Sequence, residues 1–161
     1  MSNLVIRMEG HDQELSIQEH RGIVNTTIIM FDSATRFSVG ENTGLGGSRF
    51  VLAGRENYVE IGRDCMIADH TEFWATDSHS LLDASTMKRI NRDQPIRIGD
   101  HVWICQGAKV LKGVQIRHDA VVGMGSVVVR DVEAATVSAG NPNREIRKNI
   151  TWRRERLEME A

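Results

Sequence analysis

Six histidines, two cysteines and three tryptophans carry most of the chemical potential of this 161-residue chain. Histidine changes charge closest to neutral pH, so it can take a proton from a hydroxyl that would never ionise by itself. His11, His20, His70, His101 and His118 read as surface or corner residues. His79 differs, because it stands in TDSHSLLD, where a regular pattern stops and a polar insert begins. A histidine there faces an open cleft. A base also needs a partner that fixes its tautomer, and Asp77, Glu72 or a backbone carbonyl are the candidates. Cys65 and Cys105 form neither a disulfide framework nor a zinc spacing and read as reduced thiols in small-residue slots. Cys105 has no adjacent base that would make it a nucleophile.

The pattern that positions these residues is a repeat of six. From Ile98 the chain cuts into IGDHVW, ICQGAK, VLKGVQ, IRHDAV, VGMGSV and VVRDVE. Each block opens with an aliphatic: Ile98, Ile104, Val110, Ile116, Val122 and Val128. The fifth position is small or branched: Val102, Ala108, Val114, Ala120, Ser126 and Val132. Six residues leave an α-helix rotated by about 240°, so this period is not helical. Ile61, Ile67 and Phe73 keep the same phase. Farther upstream Ile17, Val39 and Ile61 are 22 residues apart. Ile6, Ile28 and Phe50 follow that spacing, as do Met8, Met30 and Leu52, and Leu15, Phe37 and Val59. The first 60 residues are therefore 22-residue repeats, three sixes plus a four-residue corner. Three hexapeptides close one triangular turn, and five stacked turns at roughly 4.8 Å give a prism about 24 Å tall.

Two segments leave the rhythm. HSLLDASTMKRINRDQPIR, residues 79–97, is polar and reads as a loop protruding from one corner, where function concentrates. Asp77 falls at the fifth position of its block, where a charge is costly unless paired; alternatively the coil is opening there. After Gly140–Asn141–Pro142, residues 141–161 are charged and predict a short C-terminal α-helix that caps the coil. Arg153, Arg154 and Arg156 read as its solvated face. The expectation is one domain over 1–161, with hexapeptide coils over 61–140.

Net charge is −2, which argues against a nucleic-acid partner. No stretch approaches the roughly 18 apolar residues of a membrane span, and no signal-peptide run opens the chain, so a cytoplasmic protein is expected.

The run from Ile96 to Ile150, IRIGDHVWICQGAKVLKGVQIRHDAVVGMGSVVVRDVEAATVSAGNPNREIRKNI, resembles the hexapeptide-repeat acyltransferases, sugar and capsular-polysaccharide O-acetyltransferases above all. TDSHSLLD followed by RIN and IGDHVWI is similar to their catalytic-histidine segment, and AGNPNREIRK to their coenzyme-binding tail. The resemblance implies an all-β fold, a left-handed parallel β-helix that works as a homotrimer. It implies acetyl transfer from acetyl-CoA to a carbohydrate hydroxyl, directly in a ternary complex without metal, with His79 as general base. By the same resemblance an oxyanion donor comes from the backbone of Cys105, Gln106 and Gly107. Coenzyme A lies along Gly107, Met124, Gly125 and Ser126, with Arg130, Arg144, Arg147 and Lys148 near its phosphates. Trp74 stacks on a sugar near His79, and Trp103, outward in HVWI, walls the cleft of a neighbouring subunit.

Three other readings share the pattern. An amine on an amino or nucleotide sugar would make the protein an N-acetyltransferase. A zinc γ-carbonic anhydrase needs two histidines five residues apart, and here His101 is followed by Gln106 at that offset. A non-catalytic β-helix would bind no coenzyme.

Overall fold

The computed structural model describes residues 3–159, and among them every regular element is a β-strand. The strands fall into turns of three. The first turn is β1 (Leu4–Glu9), β2 (Glu14–Ile17) and β3 (Gly22–Ile23). The second is β4 (Thr26–Phe31), β5 (Arg36–Val39) and β6 (Gly44–Leu45), and the third β7 (Arg49–Leu52), β8 (Tyr58–Ile61) and β9 (Met66–Ile67). The fourth is β10 (Glu72–Trp74), β11 (Ile96–Ile98) and β12 (Trp103–Ile104), and the fifth β13 (Lys109–Leu111), β14 (Gln115–Ile116) and β15 (Val121–Val122). A sixth holds β16 (Val127–Val128), a bridge at Val132 and β17 (Thr136–Ala139), and β18 (Arg144–Lys148) follows.

Strands stack on their counterparts one turn away as three parallel sheets. Sheet A runs β1-β4-β7-β10-β13-β16, sheet B runs β2-β5-β8-β11-β14, and sheet C runs β3-β6-β9-β12-β15-β17, with β18 antiparallel on β17. The all-β solenoid of six turns matches the left-handed β-helix expected from the hexapeptide pattern. The turn beyond the five expected is the first, opened by β1, whose Ile6 and Met8 stack in register on Ile28 and Met30.

The 22-residue columns are the registers of the sheets. Ile28 pairs with Phe50, Met30 with Leu52, Leu15 with Phe37, Phe37 with Val59, and Val39 with Ile61. From Ile98 to Val132 the block-opening aliphatics and the fifth-position residues all point inward and are buried. Phe37, Phe50 and Phe73 fill the wider turns, the last two stacked with centroids 4.5 Å apart. Buried Ser126 returns its hydroxyl to the Gly123 carbonyl at 2.7 Å, which offsets its desolvation.

Corners require left-handed backbone. Asn42, Asp64, His101, Asp119 and Ala135 take φ of 54–59° at the B–C corner, and His70 takes 58° between sheets C and A. Asn, Asp and His are the non-glycine residues most tolerant of that region, which accounts for His70 and His101 as corner residues.

The expected C-terminal helix is absent. Asn143 donates its N–H to the Val127 carbonyl and accepts from the Val129 N–H, closing the lower edge of sheet A. β18 then turns back along β17, so an otherwise open sheet edge is paired, which offers more than a solvated helix would. The following residues run along the B–C corner. Trp152 stacks on His101 with centroids 4.4 Å apart and donates to its carbonyl at 2.8 Å. Arg154, expected in solvent, donates to the Cys65 carbonyl at 2.8 Å.

The two ends of the prism differ. At the last turn polar Thr136, Ser138 and Asn143 are buried beside Val128 and Val132. At the first turn Leu4, Ile6 and Met8 are exposed. No helix among the described residues is long and apolar enough to cross a membrane.

Candidate active site

The chain leaves the coil after Trp74. Ala75 is the last inward residue, and Asp77, Ser78 and His79 are exposed. Asp77 therefore reaches solvent where the coil opens and does not enter the prism. The out-of-register segment runs from Ala75 to Pro95, since Ile96 and Arg97 already belong to β11. It does not simply protrude, because it is folded on itself by a bridge between Leu82 and Arg89 and tied back to the prism. Asp83 caps its tip, accepting from the backbone and hydroxyls of Ser85 and Thr86, which hold its pKa down at about 2.

His79 sits at the head of this segment in a tight turn. Its N–H donates to the Asp77 carbonyl at 2.7 Å, across Ser78 at φ 62°. Such a turn costs of order 1–3 kcal/mol and persists only where its surroundings over-determine it. Here Thr76 accepts from the Ser78 N–H at 2.9 Å and donates to Asp93 at 2.5 Å. Asn91, only 8% exposed, does more. Its Nδ2 donates to Asp77 Oδ2 at 2.7 Å and to the His79 carbonyl at 2.8 Å, while its Oδ1 accepts from Leu81 N and Arg89 Nε. Asn91 was not singled out from the sequence; the signal was an Asn returning to the coil in an otherwise exposed insert.

Neither candidate carboxylate meets the imidazole. Asp77 pairs with Lys112, and that hydrogen bond, with the one from Asn91, holds its pKa below the usual carboxylate range. Glu72 pairs with Lys109 and accepts from Trp74 Nε1 at 2.8 Å, and those bonds lower its pKa in the same order. Among the described residues the His79 ring has no hydrogen-bond partner and faces solvent. Trp74, Asp77, Lys109 and Lys112 line an open groove of about 540 Å³ on the outer face of sheet A. Arg49 lies over the Trp74 ring, 5.8 Å from its centroid.

The coenzyme candidates gather elsewhere, at the corner between sheets C and A. Gly107 and Gly125 take φ of 72° and 66° one above the other, and a Cβ on Gly107 would stand 3.9 Å from Gly125. The coil uses the Cys105 N–H toward Val122 and the Gly107 N–H toward Asp69. Of the three amides considered for the oxyanion, only Gln106 has no backbone acceptor among the described residues. The Met124 N–H, one turn on, is free in the same sense, and both residues are exposed. Burial alone raises the Cys105 thiol pKa.

Arg130 and Arg144 meet at the last turn around a cavity of about 170 Å³. The buried Ser138 hydroxyl there has no hydrogen-bond partner among the described residues. Arg147 is exposed on β18 and does not line that cavity. Trp103 lies on the outer face of sheet C with its centroid 5.9 Å from that of Trp152. Within one chain, then, His79 with Trp74 and Asp77 occupies the A–B corner, while Gln106, Gly107, Met124 and Gly125 occupy the opposite edge of sheet A. No group of three His, Cys, Asp or Glu among the described residues could hold a metal ion.

No protein-family model matches the chain. A polysialic acid O-acetyltransferase of Escherichia coli O1:K1 is 36% identical over 126 residues, which is 78% of this chain and 41% of that protein. The chain spans about half the length of the curated relatives it matches. The crystal structure of the polysialic-acid-specific acetyltransferase NeuO superposes with a TM-score of 0.68 at 25% identity, covering 94% of this chain and 89% of that one. A hexapeptide-repeat acetyltransferase of Vibrio cholerae O1 biovar eltor, solved with acetyl coenzyme A, superposes at 0.61 with 26% identity, covering 82% and 70%. Repeat, coil and sequence likeness together make the chain a member of the hexapeptide-repeat acetyltransferases.

Proposed function

We propose that the protein transfers the acetyl group of acetyl-CoA to a hydroxyl of a sugar or polysaccharide unit, with His79 as general base. The observation that carries this reading is an exposed imidazole, without a hydrogen-bond partner among the described residues, on a turn fixed by Asn91 beside the Trp74 groove. The names of the polysialic acid relatives support a saccharide acceptor, and the Vibrio structure supports acetyl-CoA as donor.

The ring nitrogen of His79 takes the hydroxyl proton as the oxygen attacks the thioester carbonyl. The tetrahedral oxyanion accepts from the Gln106 N–H, a kind of donor typically worth about 10²–10³-fold. The carbon–sulfur bond breaks, the imidazolium returns the proton to the leaving sulfur, and the products are the O-acetyl ester and free coenzyme A. Asp77 acts by fixing the turn, since its carboxylate goes to Lys112 and Asn91. Arg130, Arg144 and Arg147 are the cations offered to the coenzyme phosphates. Guanidinium groups suit them through their planar fork.

A homotrimer belongs to the same proposal. His79 and the Gln106 amide lie at opposite edges of one sheet, so one copy's base meets a second copy's amides across an interface, with Trp103 walling that cleft. The test is thiol release from acetyl-CoA across carbohydrate acceptors. We expect His79→Ala to lower turnover by about 10²–10⁴-fold with coenzyme binding kept. Wild-type turnover in that variant, or full activity in a monomer by light scattering, refutes the reading.

A further inference from the structure

The insert between β10 and β11 holds a guanidinium that the chemistry proposed above leaves without a role. Arg89 stands on the returning side of the insert, where its backbone bridges Leu82. Its Nε donates to Asn91 Oδ1 at 3.2 Å, and its Nη2 donates to Asp93 Oδ2 at 3.1 Å. The turn that carries His79 hangs from those two acceptors by separate arms.

The first arm is Asn91, whose amide is satisfied in one orientation alone. Its Oδ1 meets two donors, Arg89 Nε and the Leu81 N–H, while its Nδ2 meets two acceptors, the Asp77 carboxylate and the His79 carbonyl. Flipped end for end, the amide would aim its oxygen at a carboxylate and a carbonyl. Of the two donors on Oδ1, Arg89 is the charged one, and charge-assisted hydrogen bonds are roughly twice as strong as neutral ones.

The second arm is Asp93. Its carboxylate is 10% exposed and accepts from the Thr76 hydroxyl, which in turn accepts from the Ser78 N–H. Gly54 lets this side chain press against the coil, since a Cβ there would stand 2.7 Å from Asp93 Cβ. Among the described residues Arg89 is the one cation paired with Asp93. Removing it strands a nearly buried charge, which must protonate or swing out to water, and Thr76 then loses its fixed acceptor. A lysine is no substitute. An ammonium is a point charge, whereas the edge of a guanidinium presents two N–H groups to two acceptors at once.

We propose that Arg89 is a positioning residue for acetyl transfer: one guanidinium orients the Asn91 amide, holds the Asp93 carboxylate and so locks both arms of the turn that carries His79. The proposal rests on the reading of His79 as the acetyl-transfer base and adds the device that aims it.

The experiment compares Arg89→Ala, Arg89→Lys and His79→Ala with the parent. It measures thiol release from acetyl-CoA, with the carbohydrate acceptor that the parent turns over fastest, and hydrogen–deuterium exchange by mass spectrometry. In Arg89→Ala kcat falls by about 10–10²-fold, the scale of a misplaced reacting group, and KM for acetyl-CoA stays within about threefold. Exchange rises over residues 76–82 and keeps its parent level in the coil, which shows the fold intact. The Arg89 side chain is 44% exposed, so methylguanidinium from solution reaches the vacated place. It restores part of kcat and of the protection, and sodium chloride at equal concentration does not. Arg89→Lys stays well below the parent, because it reaches one acceptor only. The proposal is overturned by turnover in Arg89→Ala within about twofold of the parent, or by a KM that rises as kcat falls. Unchanged exchange over 76–82, full activity in Arg89→Lys or no rescue by methylguanidinium overturns it as well. His79→Ala keeps two failures apart. Parental turnover in that variant sinks the base assignment, while raised and rescuable exchange in Arg89→Ala leaves the lock standing. Lost turnover in it, beside normal turnover in Arg89→Ala, removes the role of Arg89 alone.

Discussion

The side-chain amide of Asn91 donates to the main-chain carbonyl of His79 at 2.8 Å and to the Asp77 carboxylate at 2.7 Å. One buried residue thereby fixes both ends of the turn that carries His79, the proposed base. Asn91→Ala removes both bonds and leaves the Leu81 and Arg89 donors unmet. The expected result is a fall in kcat of about 10²-fold, the scale of an ångström-level misplacement, with the KM for acetyl-CoA nearly unchanged. Steady-state thiol release measures both. A proportional rise in KM, or loss of the folded β spectrum, would make Asn91 merely structural.

The two thiols differ from reactive cysteines for stated reasons. Burial pushes the Cys65 pKa up to about 11, and burial raises Cys105 as well. Alkylation at pH 8 is expected to be slow at Cys105 and to require unfolding at Cys65, which mass spectrometry of timed iodoacetamide reactions will show. Cys105→Ser keeps its backbone amide, so turnover should fall by less than about tenfold, far from the loss caused by removing a nucleophile.

Acid stability is expected to depend on Asp119. Its carboxylate faces His118 Nδ1 at 2.9 Å and His101 Nδ1 at 2.7 Å and accepts from Thr151 at 3.1 Å. These bonds, that of His118 foremost, depress its pKa. A depressed carboxylate favours the folded state above its unfolded value near pH 4, and that contribution disappears as the pH falls through the folded value. Asp119 is about a third exposed, so about 1 kcal/mol is at stake after screening. Melting curves from pH 6 to pH 3 should find Asp119→Asn less stable than the parent at pH 6, with the gap closing toward pH 3. A constant gap contradicts the assignment.

Phe50 is fully buried between Phe37 and Phe73. Phe50→Ala should cost about 3–5 kcal/mol, read from urea denaturation. A cost below about 1 kcal/mol would mean that the wide turns collapse around the gap.

The coil was legible because its code is local. One aliphatic in every six, or a match at every 22, names each inward residue before any contact is known, and Ile6 over Ile28 over Phe50 is such a column. The tail was not legible in this way. Charged residues such as Arg144 and Arg147 are good helix formers, but β18 exists because β17 offers an edge, and Trp152 is buried because His101 is a corner residue far away in the chain. The site divides along the same line. His79 announced itself by standing where the rhythm broke. Asn91, Lys112 and Asp93 did not, because their roles depend on how the insert returns to the prism, and sequence spacing does not encode that path.

Unlike ends give the solenoid a direction. At the last turn Thr136, Ser138 and Asn143 are buried and β18 pairs the edge of β17, so a further coil stacked on sheet C would have to displace β18. Among the described residues Leu4, Ile6 and Met8 are exposed at the first turn, and an engineered 22-residue unit stacked on β1 would bury that greasy surface. Such a graft would be separated by three turns from the corner that carries His79 and leave that corner's packing unchanged.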